Sequence, residues 1–257
     1  MIHKAIEKMN MEATVIGTGH PVLILHEWLG DHRNWLPMLE HCDTEKHAFH
    51  CLDLPGYGKS KHLEPTPSAS SIANLVLAYA DNNNIDRFAL VGHSMSGLVA
   101  HHVGLLAPKR ITRLILVSPV PPTGFKATSD NIAAMHRVSG DRVALRNAIL
   151  ARGGHVETDE WVERKTDLAW TASSPNSKAA YLKMFLAPVE PEAQKSEFQS
   201  LHILCGELDL PFYKRESLRA EFEPFYSALN IITMNSCGHY PMLQQPNLMA
   251  SQLEALL

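Results

Sequence analysis

The chain has 257 residues, 45% of them apolar and 19% charged, enough to bury one large core and too apolar for disorder. Its 23 Lys and Arg against 27 Asp and Glu give a net charge of -4 with the signs interspersed, which excludes a basic nucleic-acid-binding face. No apolar run reaches membrane-spanning length, and Met1 to Lys8 is too charged for a signal-peptide core. Cys42, Cys51, Cys205 and Cys237 show no CxxC or metal spacing and read as reduced thiols, so the expected location is cytoplasmic and no metal site is expected.

Glu12 to Ile16 and Pro21 to His26 read as strands around the turn Gly17-Thr18-Gly19, and the second contains the unbroken apolar run Leu23-Ile24-Leu25 of a strand covered on both faces. The loop that follows is His26-Glu27-Trp28-Leu29-Gly30-Asp31. A helix over Asn34 to Glu40 leads to a strand over Ala48 to Asp53 and the sharp turn Asp53 to Ser60. That turn has glycines but no Walker lysine spacing, so it is structural rather than a phosphate loop.

Next come a helix over Ser70 to Asn82, a strand over Phe88 to Val91, and Gly92-His93-Ser94-Met95-Ser96-Gly97 directly before a helix over Met95 to Leu106. A serine wedged between a buried strand and a helix is a nucleophile elbow. The turn lifts the hydroxyl clear of the backbone and aims the first helical N–H groups at any oxyanion formed there. His101 and His102 lie two helical turns along and read as packing or surface residues.

A strand over Leu114 to Ser118 is followed by a break in the alternation. Between Pro119 and about Lys195 only helix-like pieces occur, which predicts a helical cap over the strand ends, residues 120–195, inserted into a core of residues 1–119 and 196–257. Trp161, Trp170, Met184 and Phe185 are its candidates for an apolar pocket ceiling. A strand over His202 to Cys205, a helix over Lys214 to Phe225, a strand over Asn230 to Met234 and a helix over Asn247 to Leu256 complete the pattern. Strands alternating with helices predict an α/β protein with a doubly wound, mostly parallel sheet.

A serine hydroxyl needs a base, and the base needs a third group to orient it. Both follow in the order Ser…Asp…His. Asp209, with Glu207 as a near rival, lies in the loop after the strand ending at Cys205, and His239 lies just after the last strand. Ser94, Asp209 and His239 thus fall at the carboxyl ends of strands, where they can converge.

These segments resemble the α/β-hydrolase superfamily in order and nearly end to end: His26 to Gly30, Asp53 to Ser60, Gly92 to Gly97, Gly206 to Asp209 and Gly238 to Pro241. The resemblance implies an oxyanion hole made by the backbone N–H groups of Trp28 and Met95, and no metal or organic cofactor. Its nearest look is to small capped esterases and lactonases, cofactor-free haloperoxidase-like perhydrolases and menaquinone-pathway lyases. The expected activity is acyl-enzyme hydrolysis of a small-molecule carboxylic ester or lactone, with C–C cleavage, elimination or perhydrolysis on the same residues as alternatives. A non-catalytic binding module would be expected to lack one of the three residues. Three positions depart from the pattern. Ser96 replaces an elbow glycine, Gln244-Gln245-Pro246 stands where an acid–proline pair is common, and Glu27 replaces a glycine beside the oxyanion hole. Glu27 is expected either to face Ser94 or a polar substrate group, or to turn away onto a base such as Arg33.

Overall fold

The computed structural model describes residues 10–186 and 200–257. The charged segment Met1 to Lys8 and the last part of the predicted insertion, up to Lys195, lie outside the described residues. The strands are β1 (Ala13–Ile16), β2 (His20–Leu25), β3 (His47–Leu52), β4 (Phe88–His93), β5 (Ile111–Val117), β6 (Ser200–Gly206) and β7 (Ala228–Met234). They form one sheet in the order β1-β3-β2-β4-β5-β6-β7, parallel except for β1, which pairs antiparallel with β3. All seven predicted strands are present, with ends moved by one to three residues.

The central strands carry little but large apolar residues because helices cover both faces. Leu23, Ile24, Leu25, Leu90, Val91, Leu114, Ile115, Leu116 and Val117 are fully buried. Each such side chain contributes about 1.5–3 kcal/mol on transfer from water. The covering helices of the core include α1 (Leu36–Leu39), α2 (Ala69–Asn82) and α3 (Ser96–Leu106). The single helix expected over Asn34 to Glu40 is split, because its first turn is a 3-10 turn at His32–Asn34 held by the Asp31 side chain.

The stretch between β5 and β6 holds four helices, α4 (Ser129–Val138), α5 (Arg142–Arg152), α6 (Asp159–Ala172) and α7 (Pro175–Leu186), and no strand among the described residues. The first three begin where Thr128, Asp141 and Thr158 accept hydrogen bonds from backbone N–H groups of the first turn. Arg142 and Arg146 link α5 to Glu163, Asp167 and Asp159 of α6 across an exposed face, where such pairs contribute little. The chain closes with α8 (Arg215–Phe222), α9 (Pro241–Gln244) and α10 (Pro246–Leu256). Among the described residues no helix is long and apolar enough to cross a membrane.

Gly206 ends β6 with its Cα against the carbonyl oxygens of Cys237 and Gly238, so a methyl there would overlap backbone. Gly206→Ala is expected to destabilise the fold by about 1–3 kcal/mol or more in urea unfolding. Gly140, which has open space and no positive φ, serves as the control. Gly140→Ala should be neutral or stabilising by up to about 1 kcal/mol.

Candidate active site

The parallel register places the ends of β2, β4, β6 and β7 along one edge of the sheet, with Leu25 beside Gly92 and Gly206 beside Met234. Ser94 leaves β4 at φ +53°, the left-handed region that a serine rarely occupies. Its backbone is over-determined there. The N–H donates to Val117 O at 2.9 Å, and its C=O accepts from Gly97 N at 2.9 Å and Val120 N at 2.8 Å. Gly92 has no room for a side chain, because a Cβ would fall 2.7 Å from Ser96 O. The Ser96 hydroxyl, an extra group in the elbow, donates to His26 O at 2.5 Å and so ties the elbow to the end of β2.

His239 Nδ1 bonds Asp209 Oδ2 at 2.8 Å, and both side chains are fully buried. The Asp209 carboxylate is also held by the Ser118 hydroxyl at 2.7 Å and by Leu210 N at 2.7 Å. With Nδ1 donating to a carboxylate, Nε2 is the free acceptor, and it has no hydrogen-bond partner among the described residues. Glu207, the rival acid, instead accepts from Ser236 N at 3.0 Å. The His239 N–H donates to Arg152 O of α5 at 2.8 Å, so the insertion helps to hold this loop. Gln244 holds it from the other side. Its Oε1 accepts from Gly238 N and Tyr240 N, which explains why an amide can stand where an acid is common.

Aromatic rings pack against His239, among them Tyr213, which the sequence did not single out, and His93 of the elbow. The Tyr213 ring lies 4.5 Å from the imidazole and the His93 ring 5.0 Å, centroid to centroid. Burial pushes the Tyr213 phenol far up, helped by the charge of Asp209 and opposed by Arg152 and the nearby Ser94 hydroxyl. Burial, reinforced by His239 and opposed by Glu27, holds the His93 imidazole down at about 3. His93 Nε2 donates to His239 O at 2.8 Å. His101 is buried and bonds the Tyr226 hydroxyl at 2.8 Å, a packing role, and burial lowers it to about 4.

Trp28 lies at the end of β2 and Met95 at the elbow; neither N–H donates to another described residue. The Phe185 ring packs edge-on against Trp28 at 5.6 Å. Met184 is also buried. Trp161 is half-buried, 6.0 Å from the Tyr240 ring, and lines a surface recess with Arg33 and Lys165. Trp170 corrects the expectation of an apolar ceiling: it is 39% exposed and its ring faces the Lys178 ammonium at 6.0 Å. Helical periodicity turns it outward while its neighbour Ala169 faces the core. A cavity of about 760 Å³ opens between α4, α5 and the segment after Asp209, lined by Phe125, Met135, Ala148, Arg152, Leu210 and Phe212 among others, and none of Ser94, Asp209, His239, Trp28 and Met95 lines it.

Glu27 turns onto a base, as one of its two expectations had it, but the base is not Arg33. Its carboxylate bonds neither Ser94 nor Arg33 but Lys165 Nζ of α6 at 2.8 Å, Leu29 N at 2.9 Å and Asn34 Nδ2 at 3.3 Å. Arg33 pairs with Asp31 at 2.7 Å. Burial alone would raise the Glu27 carboxyl, but Lys165, His93 and His239 together hold it down at about 2. Burial lowers Lys165 in turn, against the attraction of Glu27. Sequence spacing offered no signal for this pair, since its members lie 138 residues apart.

Asp31, His32 and Asp53 bring three ligand-type atoms within 4.8 Å of one another. Their atoms are committed within the protein. Asp53 accepts from His32 N, His32 Nδ1 and Lys59 N, and Asp31 from Arg33, so the cluster ties two loops. The cysteine thiols are free, and burial pushes those of Cys42 and Cys237 up to about 12, which makes them inert as nucleophiles.

The model of the alpha/beta hydrolase fold family matches residues 20–156, more than half of the chain. This protein belongs to that family. Over 115 residues it is 36% identical to a pimeloyl-[acyl-carrier protein] methyl ester esterase of Photobacterium profundum, covering 44% of this chain and 42% of that one. It is also 36% identical over 104 residues to a dihydrolipoyllysine-residue acetyltransferase component of an acetoin cleaving system from Cupriavidus necator, covering 40% of this chain and 28% of that one. The matched stretch therefore spans less than half the length of either relative. An esterase from Exiguobacterium antarcticum superimposes with a TM-score of 0.83 at 16% identity, over 95% of this chain and 94% of that one. A bromoperoxidase from Bacillus anthracis superimposes at 0.82 and 18% identity, over 98% and 97%. Those two likenesses are of fold.

The buried imidazoles make a pH prediction. Below about pH 6.5 the unfolded chain protonates at His93, whereas the folded protein does so only near pH 3, so stability falls as pH drops through that window. His93→Gln should flatten the dependence of unfolding free energy on pH between 6 and 4 by one proton's worth of slope, measured by urea titration at each pH.

Proposed function

We propose that this protein is a serine hydrolase of carboxylic esters or lactones. What supports the reading is that Asp209, held by Ser118, fixes one imidazole nitrogen of His239 and leaves the other without a partner among the described residues, while Ser94 stands on a strained elbow and shares the neighbour Tyr213 with that imidazole. In this reading the Ser94 oxygen attacks the acyl carbon while its proton passes to His239 Nε2. Asp209 holds the tautomer and stabilises the imidazolium. The Trp28 and Met95 N–H groups receive the negative oxygen of the tetrahedral adduct, each worth about 3 kcal/mol. His239 then gives its proton to the departing alkoxide, and water attacks the acyl-enzyme by the same route to release acid and serine. No step calls for a metal or organic cofactor.

Esterase-named relatives support an ester substrate. Helices α4 to α7 act as the cap, residues 120–195 of the chain, over a core of residues 1–119 and 196–257. Phe185, packed on Trp28, forms part of its ceiling. Trp161, by contrast, stands at the outer rim of the cap.

Two substitutions test the reading. Ser94→Ala should abolish hydrolysis of a p-nitrophenyl ester and labelling by a fluorophosphonate while leaving the circular dichroism spectrum unchanged. Retained turnover would place the nucleophile elsewhere. Asp209→Asn should lower kcat by about 10⁴-fold because the imidazole loses its tautomer restraint.

A further inference from the structure

Glu27 is 1% exposed and Lys165 is 3% exposed, so both charges of this pair are out of water. An ionised carboxylate in such a place is costly unless a partner compensates it. Here the partner comes from the helical insertion. Lys165 Nζ bonds Glu27 Oε1 at 2.8 Å, Leu29 O at 2.6 Å and Asn34 Oδ1 at 3.4 Å, and stands 4.8 Å from the centre of the Tyr240 ring. The second carboxylate oxygen, Oε2, accepts from Leu29 N at 2.9 Å.

The residues on both sides of Trp28 are thereby clamped, Glu27 by its carboxylate and Leu29 by both its N–H and its C=O. Trp28 itself is held by two other bonds. Its C=O accepts from the Tyr57 hydroxyl at 3.0 Å, and its indole N–H donates to Lys178 O of α7 at 2.8 Å. The backbone N–H of Trp28 is the group these contacts leave unengaged. A buried ion pair adds little net stability, because desolvation offsets the attraction. What it does supply is fixed geometry.

We propose that Lys165 and Glu27 are positioning residues that set the direction of the Trp28 N–H, so that this oxyanion donor is formed only with the insertion docked on the loop. The proposal rests on the serine-hydrolase reading above. It assigns the insertion a part in the reaction beyond covering the substrate, and it explains a carboxylate beside a site that must accept negative charge. Lys165 neutralises the carboxylate, and both side chains bind the loop rather than the adduct.

The full-length variants Lys165→Met and Glu27→Gln/Lys165→Met are compared with wild type for thermal midpoint, kcat and KM on one p-nitrophenyl ester. Affinity for an alkylboronic acid, which forms a tetrahedral adduct on an active serine, is measured in parallel. Removal of an oxyanion donor costs roughly 10²–10³-fold, so a misdirected one should cost about 10–100-fold in kcat. KM should stay within about 3-fold, and boronate affinity should fall in step with kcat. Wild-type kcat and boronate affinity in folded variants, with only the thermal midpoint lowered, would show a structural tie and overturn the proposal. The double variant leaves no unpaired buried charge, so it supplies the comparison where the single one does not fold. An inactive wild type that binds no boronate overturns the hydrolase reading itself, a result distinct from an active enzyme indifferent to Lys165.

Discussion

The parallel hydrogen-bond register of the sheet is the constraint on which the site depends. Gly92 lies beside both Leu25 and Leu116, His93 beside Val117, Val117 beside Leu204, and Gly206 beside Met234. Each strand ends at nearly the same level, so the loops that leave β2, β4, β6 and β7 emerge within reach of one another. A parallel ladder cannot slip by one residue here without turning its inward side chains to the opposite face. Burial of both faces makes such a slip prohibitive, and the positions of Ser94, Asp209 and His239 inherit that rigidity.

Above the sheet edge, the loops are fixed mainly by side chains that bond backbone. The His26 ring spans Glu27 O at 2.7 Å and Leu54 N at 3.1 Å, and thereby joins the loop after β2 to the turn after β3. The Ser96 hydroxyl, the Asp53 carboxylate and the Gln244 amide do the same for the elbow, the glycine turn and the histidine loop. His26, Ser96 and Asp53 are buried and Gln244 is half-buried, and a buried polar group without its partner would be destabilising. Together they convert irregular segments into a rigid frame without regular secondary structure.

The charges around the frame are arranged with similar economy. Burial keeps His93 and His101 uncharged over most of the pH range, so they pack as polar aromatics. Glu27 is compensated by Lys165 and Asp31 by Arg33, and Arg33 also reaches Leu168 O at 3.3 Å. Both basic partners thus bind the helical insertion to the loop after β2. Coupling between insertion and core is therefore electrostatic and hydrogen-bonded as well as apolar.

The strands, their parallel arrangement, the strand–turn–helix at Ser94 and the helices between β5 and β6 were all legible in the linear chain, because they rest on local patterns. Apolar runs of strand length, alternation with helical periods and small residues around Ser94 each act within a few residues of themselves. Ser118 on Asp209, Tyr213 on His239 and Lys165 on Glu27 left no such trace. Each is a single polar or aromatic side chain whose partner is distant in sequence, and nothing local distinguishes it from a surface residue. Trp170 shows the converse, since an apolar residue on a helix is turned inward or outward by the packing of its neighbours. Local residue patterns set which backbone elements form and in what order. Which buried charges meet emerges with folding, because a buried ion pair is selected by proximity and by the exclusion of water, and both exist only in the packed chain.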